Sequence, residues 1–289
     1  MKRLLPILLI LALVSCRKVP VGYSVCFNAT LADDAVKAIS FKGESGINTF
    51  FNVDENVYIF NKTKSAMAYG DDGFYVFHPS DITNDGSSCT ISGDGVYLYF
   101  TPEVSDEYIL LYGQMDINKL TPSDSYYNYS RQSTGTEEQV SLFDFAIAQN
   151  VKPIISGWSL TVPSGVSLEP CQSIFRQHIT LPDGAGTITS FTVHSKNGTL
   201  VQKYYPLHGT DADVYGDMAL TSPSFVDGNV YLSLRFSYNA NHTDEGDEVT
   251  FTAVTSTGTY TCTKAAPAGG FETGRYYYGE LVFSKDSAE

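Results

Sequence analysis

Positive charge is scarce in this chain: 18 Lys and Arg stand against 32 Asp and Glu, a formal net charge of −14 at pH 7. A surface this acidic repels phosphate backbones and anionic headgroups, which argues against a nucleic-acid partner. Cysteine is also sparse. Cys26, Cys89, Cys171 and Cys262 lie far apart, with no C-x-x-C pair and no His at metal-ligand spacing, so a zinc site of ordinary spacing is excluded. The four thiols either pair as disulfides, in one of three ways, or stay reduced and buried. The five histidines (His78, His178, His194, His208, His242) are scattered, and G-x-S-x-G, H-E-x-x-H and phosphate-loop patterns are missing. Asp71-Asp72-Gly73, Asp183-Gly184 and Asp244–Glu248 are acidic turns without the spaced ligand register of a calcium loop. We therefore expect no catalytic residue, no metal and no cofactor. Long helical periodicity is missing too, and the best helical candidate is the short Val140–Ala148.

What is present begins with an export signal. Lys2 and Arg3 precede the apolar run Leu4–Val14, which is too short to span a bilayer and closes in Leu13-Val14-Ser15-Cys16. That is the spacing of a lipobox. Residues 1–15 read as a lipoprotein signal peptide and Cys16 as the lipidated N-terminus, holding the mature protein on a bilayer through its acyl chains.

Strands dominate the remainder. Tyr23, Val25, Phe27, Ala29 and Leu31 alternate with mostly polar residues, the pattern of a strand with one buried face. Further strands are expected at Asn56–Asn61, Gly73–His78, Gly95–Thr101, Glu107–Tyr112, Gln172–Leu181, Ile188–Ser195, Thr199–Leu207, Val230–Tyr238, Asp247–Val254, Gly258–Thr263 and Arg275–Phe283. Gly- and Asn/Asp-rich turns separate them, and Asn197-Gly198 predicts a hairpin. Most of the 20 Tyr and 17 Phe fall inside these strands and are expected to fill the core. Tyr126-Tyr127-Asn128-Tyr129 sits in a polar stretch and is expected to be exposed. Composition shifts near residue 150, which predicts two β-sandwich domains, 16–150 and 151–289, after the signal 1–15.

With the lipobox, Phe27-Asn28-Ala29-Thr30-Leu31, Phe50–Phe60, Leu142–Ala148 and Phe271–Tyr278, the chain resembles the Bacteroidales fimbrillin-like family of type V pilus lipoproteins. The resemblance implies an all-β fold of two transthyretin-like, Greek-key β-sandwiches. It also implies a structural and adhesive role, without catalysis, in a fimbrium on the outer surface. Such subunits are exported as lipoproteins and cut by a trypsin-like protease past the first strand, and a neighbour's strand fills the vacated groove. Here Lys37 and Lys42 are the candidate processing sites, since no Arg lies between Arg17 and Arg131. The strand-exchange residues are then Tyr23, Val25 and Phe27 on the displaced strand Val21–Leu31, and Tyr276, Tyr278, Leu281 and Phe283 on the C-terminal donor. Expected partners are other pilus subunits, the outer membrane through Cys16, and a host or bacterial surface receptor. The alternatives are a surface glycan-binding lipoprotein or an uncut anchor subunit.

Overall fold

The computed structural model describes residues 22–31, 40–41, 47–48, 51–70, 73–98, 101–117, 125–207, 212–237, 247–267 and 270–285. Cys16, Lys37 and Lys42 lie outside the described residues.

The chain is almost wholly β. Among the described residues the first elements are β1 (Tyr23–Leu31), the short pair β2 (Ser40–Phe41) and β3 (Ile47–Asn48), and β4 (Val57–Asn61). Next come β5 (Ala66–Gly70), β6 (Gly73–Phe74), β7 (Pro79–Ser80), β8 (Ser88–Leu98) and β9 (Tyr108–Tyr112). Then follow β10 (Asp116–Ile117), β11 (Ser125–Asn128), the helix α1 (Glu137–Ser141), β12 (Ala146–Val151), β13 (Ile154–Ser156) and β14 (Ser159–Pro170).

The first half forms a ten-stranded sheet that closes on itself. Its pairing runs β5-β4-β9-β12-β14-β1-β8, and β8 returns to β5 through Ala68 opposite Leu98 and Tyr69 opposite Tyr97. The long strands β8 and β14 make this closure possible because each turns a corner at a bulge. Between Tyr23 and Val25 of β1 the partner strand β8 carries an extra residue, near Gly95 (φ 71°). Between Phe27 and Ala29 the partner β14 carries two, around Pro163 and Gly165 (φ 72°). Positive φ is what glycine supplies at such a bend. Inside lie Val25, Phe27, Ala29, Val57, Ile59, Ile91, Leu110, Leu160 and Leu168.

The second half is a two-sheet sandwich. Its strands are β15 (Ser173–Thr180), β16 (Ile188–Ser195), β17 (Val201–Tyr204), β18 (Val214–Tyr215) and β19 (Met218–Leu220), then β20 (Asn229–Leu234), β21 (Glu248–Thr255), β22 (Gly258–Ala265), β23 (Tyr276–Val282) and β24 (Ser284–Lys285). One sheet has the order β20-β15-β23 and the other β19-β16-β21-β22-β24. Phe175, Leu232 and Leu281 from the first face Phe191, Val193 and Phe251 from the second in one core. A small sheet, β10-β11-β17-β18, joins the halves.

The burial pattern shows how the halves meet. β4 and β9 are buried at every position, as Val57-Tyr58-Ile59-Phe60-Asn61 and Tyr108-Ile109-Leu110-Leu111-Tyr112. Alternate residues enter the first core, while Tyr58, Phe60, Ile109 and Leu111 share a core with the second half. A sheet covered on both faces uses continuous apolar runs. The same cause overturns the helical expectation for Val140–Ala148. The helix is only Glu137–Ser141, capped by Thr136, whose Oγ1 accepts from the Gln139 amide at 3.3 Å. Ala146-Ile147-Ala148 instead pairs with Tyr112-Leu111-Leu110 as a strand buried on both faces.

Two other expectations are corrected. Tyr126, Tyr127 and Tyr129 are buried rather than exposed, because β11 pairs with β17 and Tyr127 stacks on Phe145, with ring centroids 4.3 Å apart. Asn197-Gly198 does make a turn, with Gly198 at φ 67°, but not a hairpin: β16 pairs with β19 and β21, while β17 leaves for the small sheet. Residue 150 falls within β12, and β14 continues to Pro170, opposite Ala146 of β12.

Candidate functional site: the first strand in its groove

β1 alternates without exception. Tyr23, Val25, Phe27, Ala29 and Leu31 are buried, and Ser24, Cys26, Asn28 and Thr30 are exposed. On one side β1 runs antiparallel to β8, from Tyr23 opposite Val96 to Thr30 opposite Ser88. On the other it runs parallel to β14, from Ser24 opposite Ser159 to Leu31 opposite Leu168. Its ends are fixed by the Ser24 amide donating to the Trp158 carbonyl at 2.8 Å and the Leu31 amide donating to that of Ser87 at 3.0 Å. Gly22 enters the groove where a Cβ would lie 2.4 Å from the Gly95 Cα.

This arrangement makes β1 costly to lose. Burial of each large side chain such as Val25, Phe27 or Leu31 contributes roughly 1.5–3 kcal/mol. Three of them approach the net stability of an ordinary domain, about 5–15 kcal/mol. Removal would also leave β8 and β14 as facing, unpaired edges, a strong template for another strand. The vacated groove would be specific, with alternate positions shaped for Tyr, Val, Phe, Ala and Leu, one antiparallel wall and one parallel wall.

β23, the last long strand, is placed differently. β23 is parallel to β15, from Ile174 opposite Tyr276 to Thr180 opposite Val282, and stands at the end of its sheet. Leu281 and Phe283 are buried in the second core, and Tyr277 packs on Phe175 with centroids 4.8 Å apart. Tyr276 and Tyr278 lie on the opposite face, where the Arg176 guanidinium sits 5.5 Å from the Tyr278 ring centre and 5.8 Å from that of Tyr231. The four expected donor residues are therefore divided between two faces. A cleft of about 310 Å³, lined by Phe175, Phe251, Phe271, Tyr277 and Lys264, opens between β23 and β22.

A buried polar network fixes the junction of the halves. Gln172 Oε1 accepts from the Phe145 amide at 3.0 Å and the Tyr129 hydroxyl at 3.1 Å, while its Nε2 donates to Asp144. Burial pushes the Tyr127 and Tyr129 hydroxyls well above the ordinary tyrosine range, so both stay protonated donors. The Tyr127 hydroxyl donates to the Tyr112 carbonyl at 3.1 Å. Beside this network is an acidic recess of about 370 Å³, lined by Asp54, Glu55, Asp116, Arg131 and Asp144 among others. Arg131 pairs with Asp116 at 2.7 Å across it. Among the described residues no three His, Cys, Asp or Glu side chains are grouped to hold a metal ion. None of Cys26, Cys89, Cys171 and Cys262 is in a disulfide; Cys26 is exposed and the others are buried. Burial raises the Cys89 thiol to about 12.

Sequence reasoning finds β1 but misses β14, the wall beside it. Leu160, Val162, Val166 and Leu168 face the core, and the intervening Pro163-Ser164-Gly165 hides their alternation. The signal is two short alternating runs flanking a bulge.

No protein-family model and no curated protein matches this sequence. Among solved structures it is similar to a candidate cell adhesion protein from Bacteroides uniformis, with 14% identity and a TM-score of 0.44 over 92% of this chain and 94% of that one. It is similar to a fimbrial assembly protein from Parabacteroides distasonis, with 12% identity and a TM-score of 0.42 over 92% and 100%. The tip fimbrial protein Mfa3 of Porphyromonas gingivalis, with a C-terminal truncation, gives 12% identity and a TM-score of 0.39 over 86% and 85%. All three likenesses are distant.

Proposed function

We propose that this chain is a structural subunit of a cell-surface pilus, exported as a lipoprotein through Cys16 and assembled by exchange of its first strand. The observation that carries the reading is the placement of β1, paired on both edges and inserting five side chains into the core. In this reading a protease cuts at Lys37 or Lys42, the segment carrying Tyr23, Val25 and Phe27 leaves, and an extended strand from the next subunit takes the groove. The donor is the C-terminal segment, with Tyr277, Gly279, Leu281 and Phe283 as the face that enters. Tyr276 and Tyr278 then lie outward. The role is structural and needs no cofactor. We place the division between the two units at Pro170–Cys171 rather than at residue 150, since β14 pairs with β1 and β15 pairs only within the second sandwich.

Limited digestion with a trypsin-like protease tests the proposal. The uncut protein is expected to be monomeric, and the cut protein to form ladders that survive mild detergent. Deleting residues 275–289 is expected to abolish the ladders; a truncated chain that still polymerises removes the donor assignment.

One observation favours a second reading, a glycan-binding lipoprotein: Tyr278, 42% exposed, shares an outer face with Tyr276, Tyr231 and Arg176. Binding to a glycan array that Tyr278→Ala abolishes, with no ladders under any protease, is the result that selects it.

A further inference from the structure

The single tryptophan of the chain is not in a core. Trp158 lies in the turn between β13 and β14, after Gly157 at φ 59°, and is 56% exposed. Ile154, on the outer face of β13 opposite Thr161, is 55% exposed. The turn is held at the starting end of β1. The Ser24 amide donates to the Trp158 carbonyl, and the Trp158 ring meets the Tyr23 ring edge-on with centroids 5.5 Å apart. Scattered apolar residues on a surface are ordinary, but an indole placed where an anchored chain begins is not scattered. Tryptophan's flat apolar ring and single N–H suit the boundary between hydrocarbon and water.

This inference rests on the reading of Cys16 as the lipidated residue. Six residue steps from Cys16 to Gly22 reach at most about 20 Å even when fully extended. The acyl chains therefore hold this end of the first half close to the bilayer, and among the described residues the β13–β14 turn presents exposed apolar side chains at that end. We infer that Trp158, with Ile154, rests on the surface of the bilayer that anchors the chain and orients the uncut subunit upon it. Arg17 and Lys18 directly follow Cys16 and attract anionic headgroups, but residues 154–160 carry no charge and the exposed Asp94 lies beside Gly95, so the contact made by Trp158 and Ile154 is itself apolar and forms on a zwitterionic surface. Cutting past β1 severs the tether, which makes the contact a property of the uncut form.

Trp158 reports on itself without a label. Protein acylated at Cys16, confirmed by mass, is reconstituted in phosphatidylcholine vesicles with and without brominated acyl chains. A second sample carries hexahistidine in place of the acyl group and is held by a nickel-chelating lipid, so a missing acyl group defeats the Cys16 reading and not the measurement. In both samples the emission is expected to move to shorter wavelength and to be quenched by the brominated lipid. Ile154→Ser is expected to weaken the quenching, and untethered chain in buffer to emit as exposed indole. Vesicle-bound protein whose emission stays unshifted and unquenched overturns the inference. So does a shift that appears without vesicles and grows with protein concentration, since a second copy would then be covering the indole.

Discussion

β1 and β23 hold matching positions and differ in what lies on their far side. β1 runs parallel to β14, the final strand of the first ladder, and β23 runs parallel to β15, the opening strand of the second sandwich. β1 has a second neighbour in β8, whereas β23 ends its sheet. β1 buries alternate residues along its whole length, while β23 concentrates its burial at Leu281 and continues it at Phe283. A strand with two walls and five pockets is a plug whose loss must be compensated. A strand with one wall, close to the chain's end, leaves its sheet at lower cost. That asymmetry is why we assign displacement to one and donation to the other.

The comparison breaks most readily by deletion. Removing residues 22–31 is expected to unfold the first half outright, because the lost burial rivals its whole stability. Removing residues 275–289 is expected to loosen the second half and spare the first. Hydrogen exchange resolved over the two halves checks this, and equal loss of protection in both would erase the asymmetry. Single truncations sharpen it: Phe27→Ala is expected to cost about 3–5 kcal/mol and Leu281→Ala about 2–5 kcal/mol in denaturant unfolding. Entry into the groove gives a smaller effect. Gly22→Ala drives a Cβ into the Gly95 backbone and is expected to cost about 1–3 kcal/mol. Gly95→Ala meets no atom within 4 Å and suffers only the strain of φ 71°, about 1–2 kcal/mol. The smallest effect belongs to the outer face of β1, where Cys26→Ser is expected to change stability by less than about 0.5 kcal/mol. In native protein Cys26 is expected to react with a thiol reagent at pH 8. Cys89, buried and held near 12, should react only on unfolding.

Legibility in the sequence follows the number of faces each strand exposes. β1 and β16 are readable because one face is wet, so alternation reports burial directly; the span of β16, Ile188–Ser195, matches its expectation end to end. β12 is hidden because Ala146-Ile147-Ala148 is covered on both sides, and a short apolar run without alternation has no strand signature. The tyrosines at 126, 127 and 129 look external because their local context is polar. Their burial depends on β17 and Phe145, partners remote in sequence. Asn197-Gly198 turns the chain as its chemistry demands, yet strand pairing is decided by the long-range fit of faces and not by the turn. In the candidate site, the plug is legible and its parallel wall is not, because Pro163 and Gly165 interrupt β14 just where it bends.

The most direct test of the central claim is the mass of the subunits inside detergent-resistant ladders formed after limited proteolysis. The account predicts that every polymerised subunit lacks the segment carrying residues 22–31, while uncut monomers retain it. Ladders whose subunits still hold that segment would contradict strand exchange at the β1 groove.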